Sequence, residues 1–249
     1  MKNKVFKIIS FIINICLIIM ITICIFKIGN WLIDNYKNKK IKNSFKNIEE
    51  KIDNIDINKI KEKENLISIN ELKKQNNDTV AWLKVNNTNI NYPVVKTNNN
   101  DFYMNHSFDK TYNGAGWIFM DYRVNLDSSK NIVIYGHNRR DKSMFGSLDN
   151  ILKEEWQKNN ENKTILFITD NKIEKYEVFS IYEVLNEEYY ITTDFTNESY
   201  NEFLNTIKNR SIYNFNTKID SSKNILTLST CSNNDKYRTV LHAIKLDYF

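Results

Sequence analysis

A mainly β fold, a barrel or sandwich of about eight short strands with a few helices, is predicted by three features of this sequence. From position 81 onward, short apolar runs rich in β-branched and aromatic residues alternate with polar clusters of Asn, Asp, Gly and Lys. Hydrophobic residues make up 41% and aromatics 13%, enough to fill a core rather than a disordered tail. Of the 249 residues, roughly the first thirty read as a separate membrane element, which leaves one domain and a linker.

The same composition excludes other classes. Net charge is +5, but the 35 Lys and Arg are interspersed with 30 Asp and Glu, so no basic face for nucleic acid is indicated. Cys16 and Cys24 lie in the apolar N-terminal stretch, and only Cys231 lies in the body. One body cysteine allows neither an intradomain disulfide nor a cysteine-based zinc site, so no metal or cofactor is expected.

Residues 8–26 carry no charge, and at 1.5 Å per residue they reach about 28 Å, the thickness of a hydrocarbon core. The run exceeds the apolar region of a cleaved signal, about 7–15 residues, and no small-x-small site follows. Residues 1–28 are therefore expected to be a transmembrane anchor. Its orientation is open by charge alone, because Lys2, Lys4 and Lys7 on one side face Lys27, Lys37, Lys39, Lys40 and Lys42 on the other.

Residues 29–65 form the predicted helical stalk or linker. Ile41, Phe45, Ile48, Ile52 and Ile55 recur at steps of four and three, placing them on one helical stripe. Two heptads are marginal for a coiled coil, so the stripe is expected to pack on the body or remain a solvated stalk. The body, 66–249, opens with Ser68 and Glu71, a capping box that starts a short helix to about Asn76. Strands are predicted at 82–85, 91–95, 116–120, 131–135, 164–169, 176–184, 225–229 and 239–246, and helices at 144–158 and 199–209.

In the segment 224–231, Leu226 and Leu228 alternate with Thr227, Ser229 and Cys231, so the thiol ends a strand on its polar side. A useful thiol nucleophile needs a base or a cation nearby. His137 closes the predicted strand 131–135, where Gly136 permits close backbone approach. His106 sits in a polar stretch with no strand to hold it and reads as solvated. His242 lies mid-strand between Leu241 and Ala243, where a packed, hydrogen-bonded ring is the ordinary outcome. Arg238 is the first arginine after the cysteine, and its planar donor fork suits an oxyanion better than a lysine would. A turn over 232–237 would bring it back to the thiol.

Taken together, Thr227-Leu-Ser-Thr-Cys231, Tyr135-Gly-His-Asn138 and Arg238 resemble the sortase family in order, context and spacing. The strings Trp82-Leu-Lys-Val85, Thr88-Asn-Ile-Asn-Tyr-Pro-Val-Val95 and Phe119-Met-Asp-Tyr-Arg123 resemble the early strands of class B, and the 199–209 helix falls where that class carries one. The resemblance covers about residue 66 to the C-terminus.

It implies an eight-stranded sortase-type β-barrel on the outer face of a Gram-positive cell membrane, single-pass, with a cytoplasmic N-terminus. It also implies that Cys231 attacks the Thr carbonyl of a C-terminal sorting signal, that His137 protonates the leaving amine and that Arg238 holds the oxyanion. Ser229, Thr230 and Ser232 flank the thiol as the expected substrate-binding residues. The implied partners are surface proteins bearing a sorting signal, of the Asn-Pro or Ser-Pro rather than the Leu-Pro type, and an amine of the peptidoglycan stem or a pilin. The 231–238 segment is short for the family, which would narrow the groove. Two other readings are a Cys-His hydrolase that uses water, and a non-catalytic surface module that binds a partner.

Overall fold

The computed structural model describes residues 2–55, 69–170, 172–231 and 236–247. All eight predicted strands form: β1 (Thr79–Val85), β2 (Asn91–Val95), β3 (Phe119–Met120), β4 (Asn131–Tyr135), β5 (Thr164–Ile168), β6 (Ile173–Leu185), β7 (Ile225–Cys231) and β8 (Tyr237–Lys245). They close into a barrel in the order β1-β2-β3-β4-β7-β8-β6-β5. β2/β3 and β4/β7 are parallel, and the other pairs are antiparallel. Closure leaves no free sheet edge, so the apolar face of each strand turns inward.

Alternation then sorts residues into two cores. Leu226, Leu228, Leu241 and Ala243 join Trp82, Val94, Ile134 and Phe167 in the main core. Residues of opposite parity, Ile225, Val240 and Ile244, join a second cluster outside the barrel. That cluster is capped by α5 (Asn197–Asn209), which buries Tyr200, Phe203, Leu204 and Ile207. Thr196 and Ser199 cap its N-terminus reciprocally.

Two predicted elements are shorter or differently built. Of the predicted 116–120 strand only Phe119–Met120 pairs, because Gly116 turns at φ +58° and the Trp117 N–H is taken by the Tyr103 carbonyl. The 144–158 helix is broken. Met144 sits at φ +50°, a 3₁₀ turn spans Leu148–Leu152, and Lys153 is extended before α4 (Glu154–Lys158). Phe145, Leu148 and Ile151 are all buried, and a three-residue spacing is the 3₁₀ repeat.

At the N-terminus, α1 (Lys2–Ser44) is one unbroken helix. Its apolar part is exposed, with Phe6, Ile18 and Phe26 pointing outward, and it is long and apolar enough to cross a membrane. The stripe beyond it docks on the barrel. Phe45 is buried with its ring edge-on to Trp82, Phe108 and Trp117 at 5.9, 5.0 and 6.4 Å. Ile52 of α2 (Lys46–Asp53) is buried in the same core, and Ile41, Ile48 and Ile55 pack against it. The next described helix is α3 (Ile69–Gln75), with Ile69 and Leu72 buried. Ser68 of the predicted capping box lies outside the described residues.

Candidate active site

Three neighbouring strands deliver the candidate residues to one end of the barrel. β7 ends at Cys231, whose backbone pairs with Arg238 near the start of β8. On the other side of β7 the parallel strand β4 pairs Tyr135 with Ser229, and the Gly136 N–H continues the ladder by donating to the Ser229 carbonyl at 3.3 Å. His137 is the next residue along that strand. Position 231 shares the parity of Thr227 and Ser229, the face opposite the leucines. Arg238 is half-buried, and its Nη1 donates to the Tyr237 carbonyl at 3.0 Å.

His137 is held from two sides. Its Nε2 lies 2.7 Å from the Met104 carbonyl. A carbonyl only accepts, so the Nε2–H is the donor in this bond. Gly116 packs against the ring: a Cβ there would stand 2.8 Å from His137 Cδ2 and 2.6 Å from the Tyr103 carbonyl oxygen. Gly136 lies on the face of Phe145, where a Cβ would meet the ring at 2.7 Å. The strand end is thus a close-packed seat for the imidazole.

Ser229 and Thr230 are buried, at 2% and 3% exposure, on opposite faces of β7. The Ser229 hydroxyl is 3.0 Å from the Tyr190 hydroxyl, while Thr230 Oγ1 and Thr239 Oγ1, on paired residues, have no hydrogen-bond partner among the described residues. Ser232 lies outside the described residues, as does most of the segment 232–237 where a turn is expected.

The other histidines are placed differently. His242 is fully buried mid-strand, as expected, with the Tyr182 hydroxyl 2.8 Å from Nε2 and the Thr227 hydroxyl 2.8 Å from Nδ1. Thr227 donates to Asn131 Oδ1 at 2.6 Å, so Nδ1–H donates to Thr227 and Tyr182 donates to Nε2. Burial, with Arg210 adding to it, pushes the imidazole down to about 3. His106, read as solvated, is instead held: it stacks on Phe102 at 4.0 Å, its Nδ1 meets the Phe102 carbonyl at 2.8 Å, and its backbone bridges to Tyr112. The local 3₁₀ turn Phe102–Met104 supplies the aromatic partner that the polar sequence concealed.

An ion pair with a buried carboxylate lies beside the strand that leads to His137. Asp121 is fully buried and accepts from Arg123 Nε and Nη2 at 2.9 and 2.7 Å, from the Tyr135 hydroxyl at 2.8 Å and from Asn100 Nδ2 at 3.1 Å. Burial alone would raise its carboxyl, but the hydrogen bonds from Arg123 and Tyr135 prevail and hold it below the usual range. Burial raises the Tyr135 phenol. Tyr135 stands two residues before His137, so this network fixes the strand that carries the imidazole. Residue types alone do not reveal it; the Asp-Tyr-Arg run was legible only as part of the resemblance.

A barrel of this topology, with a cysteine closing the strand between its partners, defines a sortase-type protein. The chain belongs to the sortase family, whose members are cysteine transpeptidases, and the sortase-domain family model matches residues 83–245. Within the family the similarity is to sortase B. The sortase B of Listeria monocytogenes is 36% identical over 166 residues, covering 65% of this chain and 66% of the relative. That of Staphylococcus aureus is 38% identical over 160 residues, covering 63% and 64%. The matched stretch thus spans just under two thirds of either curated relative. Among solved structures, sortase B of Clostridium perfringens matches with a TM-score of 0.69 at 35% identity, over 72% of this chain and all of that one. Sortase B of Bacillus anthracis in complex with AAEK1 matches with a TM-score of 0.74 at 32% identity, over 87% and 99%.

Proposed function

We propose that this chain is a membrane-anchored cysteine transpeptidase that cleaves a C-terminal sorting signal after Thr and transfers the acyl part to an amine. The observation that carries this reading is the strand order β4-β7-β8, which brings the end of β4 before His137, distant in the chain, to the same barrel end as Cys231 and Arg238.

The Cys231 thiolate attacks the Thr carbonyl carbon, and the oxyanion that forms is met by the Arg238 guanidinium. As the C–N bond breaks, the His137 imidazolium gives its proton to the departing amine, leaving a thioester on Cys231. An incoming amine attacks the thioester, His137 takes its proton, and the thiolate is released. Ser229 and Thr230, whose side chains are buried, contribute to the substrate groove through their backbone, and Ser232 lines it beyond the thiol.

The reading extends to location and partners. Residues 1–28 are a single-pass anchor with the N-terminus in the cytoplasm, 29–65 are the helical linker, and 66–249 are the catalytic domain outside the cell. Donors are surface proteins bearing a sorting signal, and the acceptor is a peptidoglycan stem or pilin amine. Measuring product masses from an Asn-Pro-type sorting peptide incubated with and without a short amine peptide tests the reaction. The expected product is the amine adduct, formed at the expense of the acid as amine is raised. Acid alone at every amine concentration would replace transfer by hydrolysis.

A further inference from the structure

The segment of α1 just beyond its apolar part does more than tether. Asp34 Oδ2 accepts the Gly114 N–H at 3.0 Å, and the Asp34 carbonyl accepts from Asn113 Nδ2 at 3.1 Å. One turn on, Asn38 is 6% exposed, with its Oδ1 accepting from Ser107 Oγ and from Asn113 Nδ2 at 3.1 Å. Its Nδ2 reaches the Gly116 carbonyl at 3.5 Å. Ser107 and Asn113 are both fully buried.

Every one of these partners belongs to the loop 102–117, and that loop carries both groups that touch the imidazole. Met104 supplies the carbonyl for His137 Nε2, and Gly116 packs on the ring at Cδ2. A second contact runs to the segment after His137, where Arg139 donates to Asn35 Oδ1. Asp34, Asn35 and Asn38 lie on one face of the helix, at i, i+1 and i+4.

We propose that Asp34 and Asn38 are positioning residues for His137, so that the juxtamembrane turns of α1 are a structural part of the active site. This rests on the proposed role of His137. Buried polar groups joined in a complete network hold one geometry, because any slippage leaves a donor or acceptor unpaired in a dry site. Loss of the Asn38 carboxamide would leave the Ser107 hydroxyl and one N–H of Asn113 Nδ2 without their acceptor, and free the loop to shift under the ring. A shift of this kind at a proton-transfer group lowers turnover without weakening the binding of a substrate that docks elsewhere along the groove.

The test uses the full chain in detergent micelles, with Asn38→Ala, Asp34→Ala, Asp34→Asn and Lys40→Ala, an exposed position on the same helix. Two readouts are taken: kcat and KM for a sorting peptide, and the His137 imidazole ¹⁵N and ¹H resonances. For Asn38→Ala and Asp34→Ala, kcat should fall about tenfold or more with KM nearly unchanged, and the His137 resonances should shift. Asp34→Asn, which keeps an oxygen acceptor for Gly114, should recover most of the loss, and Lys40→Ala should change nothing. Unmoved His137 resonances in both alanine variants would overturn the proposal, whatever happens to kcat. If Asn38→Ala does not fold, the Asp34 pair decides it: equal kcat and equal resonances for Asp34→Ala and wild type also overturn it. His137→Ala in the activity assay separates the two ideas, since full activity there defeats the catalytic reading while the His137 resonances of the Asp34 and Asn38 variants still report on positioning.

Discussion

Cys231 and Arg238 are register partners on the antiparallel pair β7/β8. The guanidinium-bearing residue and the thiol-bearing residue are therefore set side by side by the ladder itself, and their spacing depends on a regular strand pair more than on the loop between them. Substitutions at either position should change chemistry while the ladder keeps the fold.

Cys231→Ala should abolish cleavage of a sorting peptide with little change in thermal stability, because position 231 has the parity of Thr227 and Ser229 rather than that of the buried leucines. His137→Ala should be nearly as damaging, and His106→Ala, which removes a ring stacked on Phe102, should leave turnover close to normal. Peptide cleavage followed by chromatography distinguishes the three. Retained cleavage in Cys231→Ala would end the thiol mechanism.

Arg238→Lys keeps the charge but loses the planar donor fork, so turnover should fall about 10²- to 10³-fold, the usual loss for one oxyanion donor. Circular dichroism should show the same fold. Near-normal turnover would make the arginine a surface charge.

Gly116→Ala should cost about 1–2 kcal/mol in stability, since φ is +58° and the new Cβ would press on the Tyr103 carbonyl oxygen at 2.6 Å. Because the same Cβ would stand 2.8 Å from His137 Cδ2, activity should fall as well. Gly29→Ala, with nothing within 4 Å of its Cβ, is the matched control. Chemical denaturation read beside turnover tests both halves, and an unaffected Gly116→Ala protein would contradict the packing.

Stability should decline on mild acidification because of His242. In the folded protein this imidazole titrates at about 3, against 6.5 for the free group. The unfolded chain therefore binds a proton below 6.5 that the folded chain refuses, and stability present above that pH is lost progressively as pH falls from 6.5 towards 3. Between pH 7 and pH 5 the loss from this group is about 2 kcal/mol. His242→Gln, which retains polar atoms for Tyr182 and Thr227, should flatten that part of the denaturation profile; an unchanged slope would mean that other groups set it.

Much of this was legible in the residues. Short apolar runs rich in β-branched and aromatic residues, set between polar clusters, located all eight strands, because such side chains pack well on a pleated sheet. The three-and-four spacing of Ile41, Phe45, Ile48 and Ile52 marked the stripe that docks on the barrel. The helix predicted at 144–158 failed because a three-residue apolar spacing fits a 3₁₀ turn as well as an α-helix, and only the packing of Phe145, Leu148 and Ile151 selects between them.

What the sequence determined by itself was local: which segments extend, which helix is apolar enough to cross a membrane, and which residue types can carry acyl transfer. The tertiary structure decided the adjacency. That β4 and β8 flank β7 follows from closing the whole barrel, a sum of long-range pairings that no local window contains. The partners of His137 are a backbone carbonyl at Met104 and the bare Cα of Gly116, held in turn by Asp34 and Asn38. A carbonyl is the same at every residue, so its role as a proton-site partner is written only in where the folded chain brings it.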